Sequence, residues 1–87
     1  MTIMPSAPQP KPGRFARAIS AQVRSSMARQ RISGAQLAGM VGRSSSYISK
    51  RLRDEASLTA NDVEVICEAL NEDLAQLVIT AARSMGD

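Results

Sequence analysis

A run of short hydroxyl side chains followed by a cation stands in the middle of the sequence. Ser44, Ser45 and Ser46 are consecutive, and Ser49 and Lys50 follow one helical turn later. If this segment is helical, residues 45, 46, 49 and 50 share an outer face. Serine hydroxyls donate or accept hydrogen bonds, and a lysine ammonium can reach a phosphate or the edge of a guanine. This pattern predicts recognition of a nucleic acid surface.

Catalytic and metal-binding residues are scarce. The 87 residues include no His and one Cys, Cys67, so His-based triads, the usual metal-ligand sets and an intrachain disulfide are absent. Ser46 and Lys50 are four positions apart, but nothing indicates an oxyanion hole beside them. We therefore predict a protein that is not an enzyme and that uses no metal, cofactor or small-molecule ligand.

Charge is divided unevenly along the chain. Residues 1–53 carry ten Lys or Arg and no acid, whereas residues 54–87 carry eight acids and a single base. This division predicts a face that binds a polyanion and an opposite face that repels it. The N-terminus lacks the apolar run of a signal peptide, and no stretch approaches 18 apolar residues. We therefore predict a cytoplasmic protein without a membrane span.

Five short helices must position the polar run. Residues 1–13 hold all four prolines and predict a flexible arm, which precedes a domain over residues 14–87. Apolar residues recur every four positions from Phe15, so a first helix is predicted to about Gln30. Residues 54–58 are predicted to form a loop. The predicted helix starts are a capping box of Ser33 with Gln36, Ser44 for the third helix, a capping box of Thr59 with Asp62, and Asn71 for the fifth helix.

The second and third helices have the signature of a helix-turn-helix. Ala38 is small enough for a close helix crossing, and Gly42 allows the sharp turn that follows. Ile48 can anchor the third helix to the core. The outer face of that helix is then free to enter the major groove of DNA, where short side chains let the backbone approach the bases.

Residues 32–78, ISGAQLAGMVGRSSSYISKRLRDEASLTANDVEVICEALNEDLAQLV, resemble the lambda-repressor-like helix-turn-helix family, also called the Xre or Cro/repressor family. The resemblance rests on Leu37-Ala38, Gly42, Ser44, Ile48 and the segment LTANDVEVICEALN. With the first helix it extends over roughly residues 15–80, and it implies a compact all-α domain of five helices. In two places the sequence departs from the family, since Arg43 and Arg51 occupy positions that are usually apolar.

The resemblance also implies roles for individual residues. Positions that read bases in the family correspond to Ser45, Ser46, Ser49 and Lys50, although the serines could instead only cap and solubilise the helix. Phosphate contacts are expected from Arg43, Ser44, Tyr47, Arg51 and Arg53. Tyr47 can equally pack its ring against the rim of the core. Lys11 and Arg14 can enter or skirt the minor groove, or they can be bystanders.

The expected partner is double-stranded DNA with a two-fold-symmetric operator, and the chain is expected to form a homodimer, free or on DNA. The candidate interface on the fifth helix comprises Leu74, Leu77, Val78 and Ala81, although the same stripe could instead close the core of one chain. We interpret the protein as a repressor or Cro-like regulator of phage or mobile-element origin that acts by occupying a promoter. The alternatives are an antitoxin-type module that binds a protein, and a DNA-bending or recombination-directionality factor.

Overall fold

The computed structural model of the chain describes residues 11–86. This part of the chain folds into helices without β-strands. The helices are α1 (Arg14–Gln30), α2 (Gly34–Val41), α3 (Ser45–Leu52), α4 (Ala60–Ala69) and α5 (Leu74–Met85). The predicted five-helix, all-α architecture is thus confirmed, and residues 54–58 form the predicted connection between α3 and α4.

The start of α2 is fixed by its own sequence. The Ser33 hydroxyl accepts a hydrogen bond from the Gln36 amide at 3.1 Å, and the Gln36 side chain accepts one from the Ser33 amide at 2.7 Å. Thr59 and Asp62 make the same reciprocal pair at the start of α4, with both bonds at 3.0 Å. Both predicted capping boxes are confirmed, because each satisfies amide groups that a helix start leaves unpaired.

The start of α5 was predicted wrongly. The N-cap is Asp73, whose carboxylate accepts a hydrogen bond from the Gln76 amide at 2.8 Å. Asn71 instead has a left-handed backbone with φ of 56° and lies where α4 ends. Asn tolerates this conformation better than most residues, so it serves as the residue that terminates α4. The next capping residue along the chain, Asp73, then starts α5.

The aliphatic core is built mainly from α1, α2, α4 and α5, with one contribution from α3. Helix α1 packs along α5, and α2 packs against both α3 and α4. The core residues are Ile19, Val23, Met27, Leu37, Ala38, Ile48, Val63, Ile66, Cys67, Leu70, Leu77 and Ala81. Because α3 contributes only Ile48 to this fully buried set, most of its surface remains available outside the core.

A polar network ties the end of α3 to α1. Asp54, in the turn after α3, accepts a hydrogen bond from the Ser20 hydroxyl at 2.6 Å. Arg24 donates to the Leu52 carbonyl at 2.7 Å and lies 3.6 Å from the Asp54 carboxylate. These contacts fix the C-terminal end of α3 on the first helix.

Most of the predicted arm, residues 1–10, lies outside the described residues. Within residues 11–86, no helix combines the length and apolar character that crossing a membrane requires. The same residues contain no group of three or more His, Cys, Asp or Glu side chains arranged to hold a metal ion.

Candidate nucleic-acid interface

The outer face of α3 gathers all four residues predicted to read bases. Ser45, Ser46, Ser49 and Lys50 line a shallow polar depression of about 300 Å³, together with Arg53. Ser45, Ser46 and Lys50 are exposed, and Ser49 is half-buried. Their spacing of one and four positions places them on one side of the helix. The structure thus brings together the side chains that the sequence grouped by periodicity.

The side chains on this face have few partners within the protein. Among residues 11–86, the side chains of Ser45, Ser46 and Lys50 make no hydrogen bond or ion pair with another residue. The Ser49 hydroxyl accepts a hydrogen bond from Arg53 at 2.7 Å. The face therefore presents hydroxyl groups and one ammonium group whose hydrogen-bonding capacity is open to a ligand.

Helix α3 is held in this orientation by its inner face and by the preceding turn. Ile48 is fully buried and Leu52 is half-buried against the core. Gly42 adopts a left-handed backbone with φ of 71°, which a side chain would strain. The Ser44 hydroxyl caps α3 by accepting a hydrogen bond from the Tyr47 amide at 3.1 Å. The helix therefore starts immediately after a sharp turn, as predicted.

Three residues predicted to contact phosphate have groups beside one buried acid. Asp62 is 1% exposed and accepts hydrogen bonds from the Tyr47 hydroxyl at 2.6 Å and from Arg43 Nε at 3.3 Å. Arg51 Nε lies 4.0 Å from the same carboxylate. The Arg51 guanidinium also stacks on the Tyr47 ring, 3.4 Å from its centroid. We call Arg43, Tyr47, Arg51 and Asp62 the Asp62 cluster.

The Asp62 cluster keeps its carboxylate ionised. Burial alone would raise the pKa of Asp62, but hydrogen bonds from Tyr47, Thr59 and Arg43 outweigh burial and hold it below its ordinary value. The hydrogen bond between the Tyr47 hydroxyl and Asp62, together with burial, raises the pKa of that hydroxyl. Because the pKa of Asp62 is lower in the folded chain, its contribution to stability is present above the unfolded pKa of about 3.9 and is lost as pH falls through the folded value.

The sequence indicated Asp62 only as a helix cap. Its second role depends on contacts with residues 11 to 19 positions earlier in the chain, which periodicity cannot reveal. One signal was nevertheless present. Arg43 and Arg51 are the two residues that occupy positions usually apolar in the resembling family, and each has a basic group beside the same acid.

The remaining predicted phosphate contacts lie at the ends of α3. Arg53 pairs with Glu55 at 2.6 Å, with both side chains at least half exposed, so this ion pair is weak and easily exchanged for another anion. Ser44 is exposed at the start of the helix, where its hydroxyl serves as the cap. Neither residue is removed from the surface by these contacts.

The two residues predicted for the minor groove are placed differently from each other. Arg14 donates a hydrogen bond to the Met85 carbonyl at 2.6 Å, at the C-terminal end of α5. This contact satisfies a carbonyl group that a helix end leaves unpaired. Lys11 is exposed and precedes α1. Arg14 therefore has a structural partner, whereas the Lys11 side chain has no hydrogen-bond or ion-pair partner among residues 11–86.

The four predicted interface residues of α5 divide into two pairs. Leu77 and Ala81 are 6% and 0% exposed and lie inside the core of the single chain, so they are unavailable to a second copy. Leu74 is 39% exposed and Val78 is half-buried. Leu74 and Val78 line an apolar groove of about 570 Å³, whose other walls include Phe15, Leu58 and Val63.

Comparison with known proteins identifies the family of this chain. The profile of the Cro/C1-type helix-turn-helix DNA-binding domain matches residues 22–82. No curated protein gave a match.

Solved structures share the fold. Two are crystal structures of the clp gene regulator ClgR from Corynebacterium glutamicum. One has 27% identity and a TM-score of 0.76 over 86% of this chain and 97% of that chain. The other has 29% identity and a TM-score of 0.76 over 87% and 80%. A mutant of the restriction-modification controller protein C.Esp1396I shares the fold at 18% identity, with a TM-score of 0.68 over 79% and 96%.

Proposed function

Because the chain belongs to the family of Cro/C1-type helix-turn-helix DNA-binding domains, we propose that it regulates transcription by binding a specific double-stranded DNA sequence through α3. The observation that carries this proposal is the outer face of α3. It holds Ser45, Ser46, Ser49 and Lys50 together on the surface, on a helix whose opposite side is anchored by a buried Ile48.

The chemistry of this face suits base edges. A lysine ammonium donates to the O6 and N7 acceptors of guanine, and a serine hydroxyl can donate to or accept from any base. Serines are also short, so the backbone of α3 can lie deep in the major groove. We expect Ser44 and Arg53, at the two ends of the helix, to contact the phosphates on either side.

Occupancy of a promoter is the simplest way in which such a domain represses transcription. It requires DNA binding alone, with no effector site. We propose this mode for the chain, and we propose that it is a repressor or Cro-like regulator of phage or mobile-element origin. Such a regulator acts where the bacterial DNA is, in the cytoplasm.

We propose that two copies bind together, with α5 and the apolar groove beside it at their interface. A single α3 reads only a few base pairs, so domains of this kind gain specificity by pairing on half-sites about one DNA turn apart. Leu74 and Phe15, which line this groove, are large apolar side chains at 39% and 44% exposure. Covering them against a second copy would remove apolar surface from water, which favours association.

Selection of bound fragments from random DNA at physiological salt tests this function. We expect enrichment of one motif with two-fold symmetry. We also expect log affinity to fall with log salt concentration with a slope of about −4 per chain, and about twice that for a dimer. If no motif is enriched, and affinity varies with salt concentration but not with DNA sequence, sequence-specific regulation is contradicted. A single half-site without symmetry would contradict the dimer.

A further inference from the structure

The two arginines that depart from the family pattern lie beside the same carboxylate. Arg43 follows the turn glycine and Arg51 lies in the last turn of α3, and both face Asp62 at the start of α4. The cluster holds two guanidinium groups and one carboxylate, so it retains one positive charge. The Asp62 cluster therefore carries surplus positive charge beside α3, at the point where the helix-turn-helix turns.

The surplus charge is presented by Arg43. Its side chain is 34% exposed, whereas that of Arg51 is 14% exposed. Arg43 Nε donates to Asp62, and the guanidinium carbon lies 5.7 Å from the centroid of the Tyr47 ring. Its two terminal amino groups have no hydrogen-bond acceptor among the residues described, 11 to 86. A guanidinium group fixed through Nε keeps both terminal amino groups available, and a phosphate can accept from both of them at once.

The other members of the cluster support this arrangement. Asp62 Oδ2 already accepts from the Tyr47 hydroxyl and from the Thr59 amide, which leaves Oδ1 to Arg43. Arg51 Nε is buried without a hydrogen-bond partner in the described chain, and its guanidinium rests on the Tyr47 ring. Arg51 and Tyr47 are therefore committed to the interior, whereas Arg43 spans from the interior to the surface.

We propose that Asp62 is a positioning residue for DNA binding, which holds Arg43 through Nε so that its terminal amino groups meet a DNA phosphate beside the start of α3. This inference rests on the proposed function. Arg43 then makes the phosphate contact, whereas Tyr47 and Arg51 keep Asp62 in place. The buried acid thus preorganises a cation for the DNA and does not compete with the DNA for it.

A double-mutant cycle of D62N and R43A on the selected DNA tests the proposal. Asn has nearly the size of Asp but no charge, and its amide group would face Arg43 Nε as a second donor. Each single variant is expected to lose about tenfold in affinity per chain and to reduce the salt slope by about one per chain. The double variant should lose no more than R43A alone, because Asp62 acts through Arg43.

T59A is the matched control for loss of the α4 cap. It removes the hydroxyl that accepts from the Asp62 amide and destabilises the same helix start, but it leaves Asp62 facing Arg43. We expect a lower melting temperature with an unchanged salt slope. An equal change of slope in T59A would show that helix stability causes the effect, and would overturn the proposal. Tighter DNA binding by D62N would also overturn it, because Asp62 would then be a competitor of the phosphate.

A measurement on the unmodified protein covers the case in which D62N does not fold. The Nε–H group of Arg43 should give an NMR signal protected from solvent exchange both in the free protein and in the DNA complex. Loss of this protection on DNA binding would show that Arg43 leaves Asp62 to reach the phosphate, which contradicts positioning. If the unmodified protein binds no DNA at any salt concentration, the proposed function itself fails, an outcome distinct from both.

Discussion

Replacing Lys50 with alanine is expected to weaken binding to the selected DNA by at least about 30-fold, with no change in melting temperature. Lys50 is exposed on the outer face of α3, and among residues 11–86 its ammonium group forms no ion pair within 4.0 Å. A good contact to a base edge contributes about 1–3 kcal/mol, and a dimer would lose two such contacts. The loss should also relax discrimination at one position of each half-site, as measured by fluorescence anisotropy on variant operators.

Arg83→Ala is the matched control, because it removes one positive charge from an exposed residue of α5. It should change affinity little beyond a small general effect of charge. If both variants lose the same affinity at every sequence, Lys50 contributes only to the overall field of the protein. The assignment of Lys50 to base reading would then be wrong.

Replacing Leu74 with glutamate is expected to convert a dimer to a monomer and to reduce the salt slope of DNA binding from about −8 to about −4. Leu74 is 39% exposed at the rim of the apolar groove, so the added charge costs the single chain little stability. In an interface the same carboxylate would be buried without a partner, which strongly opposes association. Sedimentation equilibrium and a salt series on the selected DNA measure the two effects.

Gln76→Glu adds the same charge in the same helix turn and serves as the control. Gln76 is exposed and lies about 200° around the helix from Leu74, away from the groove. It should leave both the oligomeric state and the salt slope unchanged. If L74E is still a dimer, the interface lies elsewhere. If the unmodified protein binds DNA as a monomer, the proposal of a dimer is wrong.

Local chemistry made most of the helix boundaries predictable. The starts of α2 and α4 could be predicted from four residues each, Ser33 to Gln36 and Thr59 to Asp62. Within each group, two side chains satisfy backbone groups in a single turn. The prediction of the start of α5 was wrong because two possible capping residues, Asn71 and Asp73, lie close together in the sequence. Which of them caps α5 depends on how α4 ends, and that was decided by the left-handed conformation of Asn71.

The candidate site was predictable only where it follows helical periodicity. Ser45, Ser46, Ser49 and Lys50 share a face because of their spacing, and the structure places them together. The Asp62 cluster depends on the packing of α4 against the helix-turn-helix, so spacing along the chain gave no information about it. Likewise, an apolar stripe on α5 could not distinguish Leu77, which is buried in the core, from Leu74, which is exposed.

The central claim is that the outer face of α3 is the surface that meets DNA. The most direct measurement is an NMR titration of the labelled protein with the selected operator, in which backbone amide shifts are followed along the chain. We predict the largest shifts over residues 43–53, with small shifts in α4. Shifts concentrated outside α3, or no shifts at low salt, would contradict the claim.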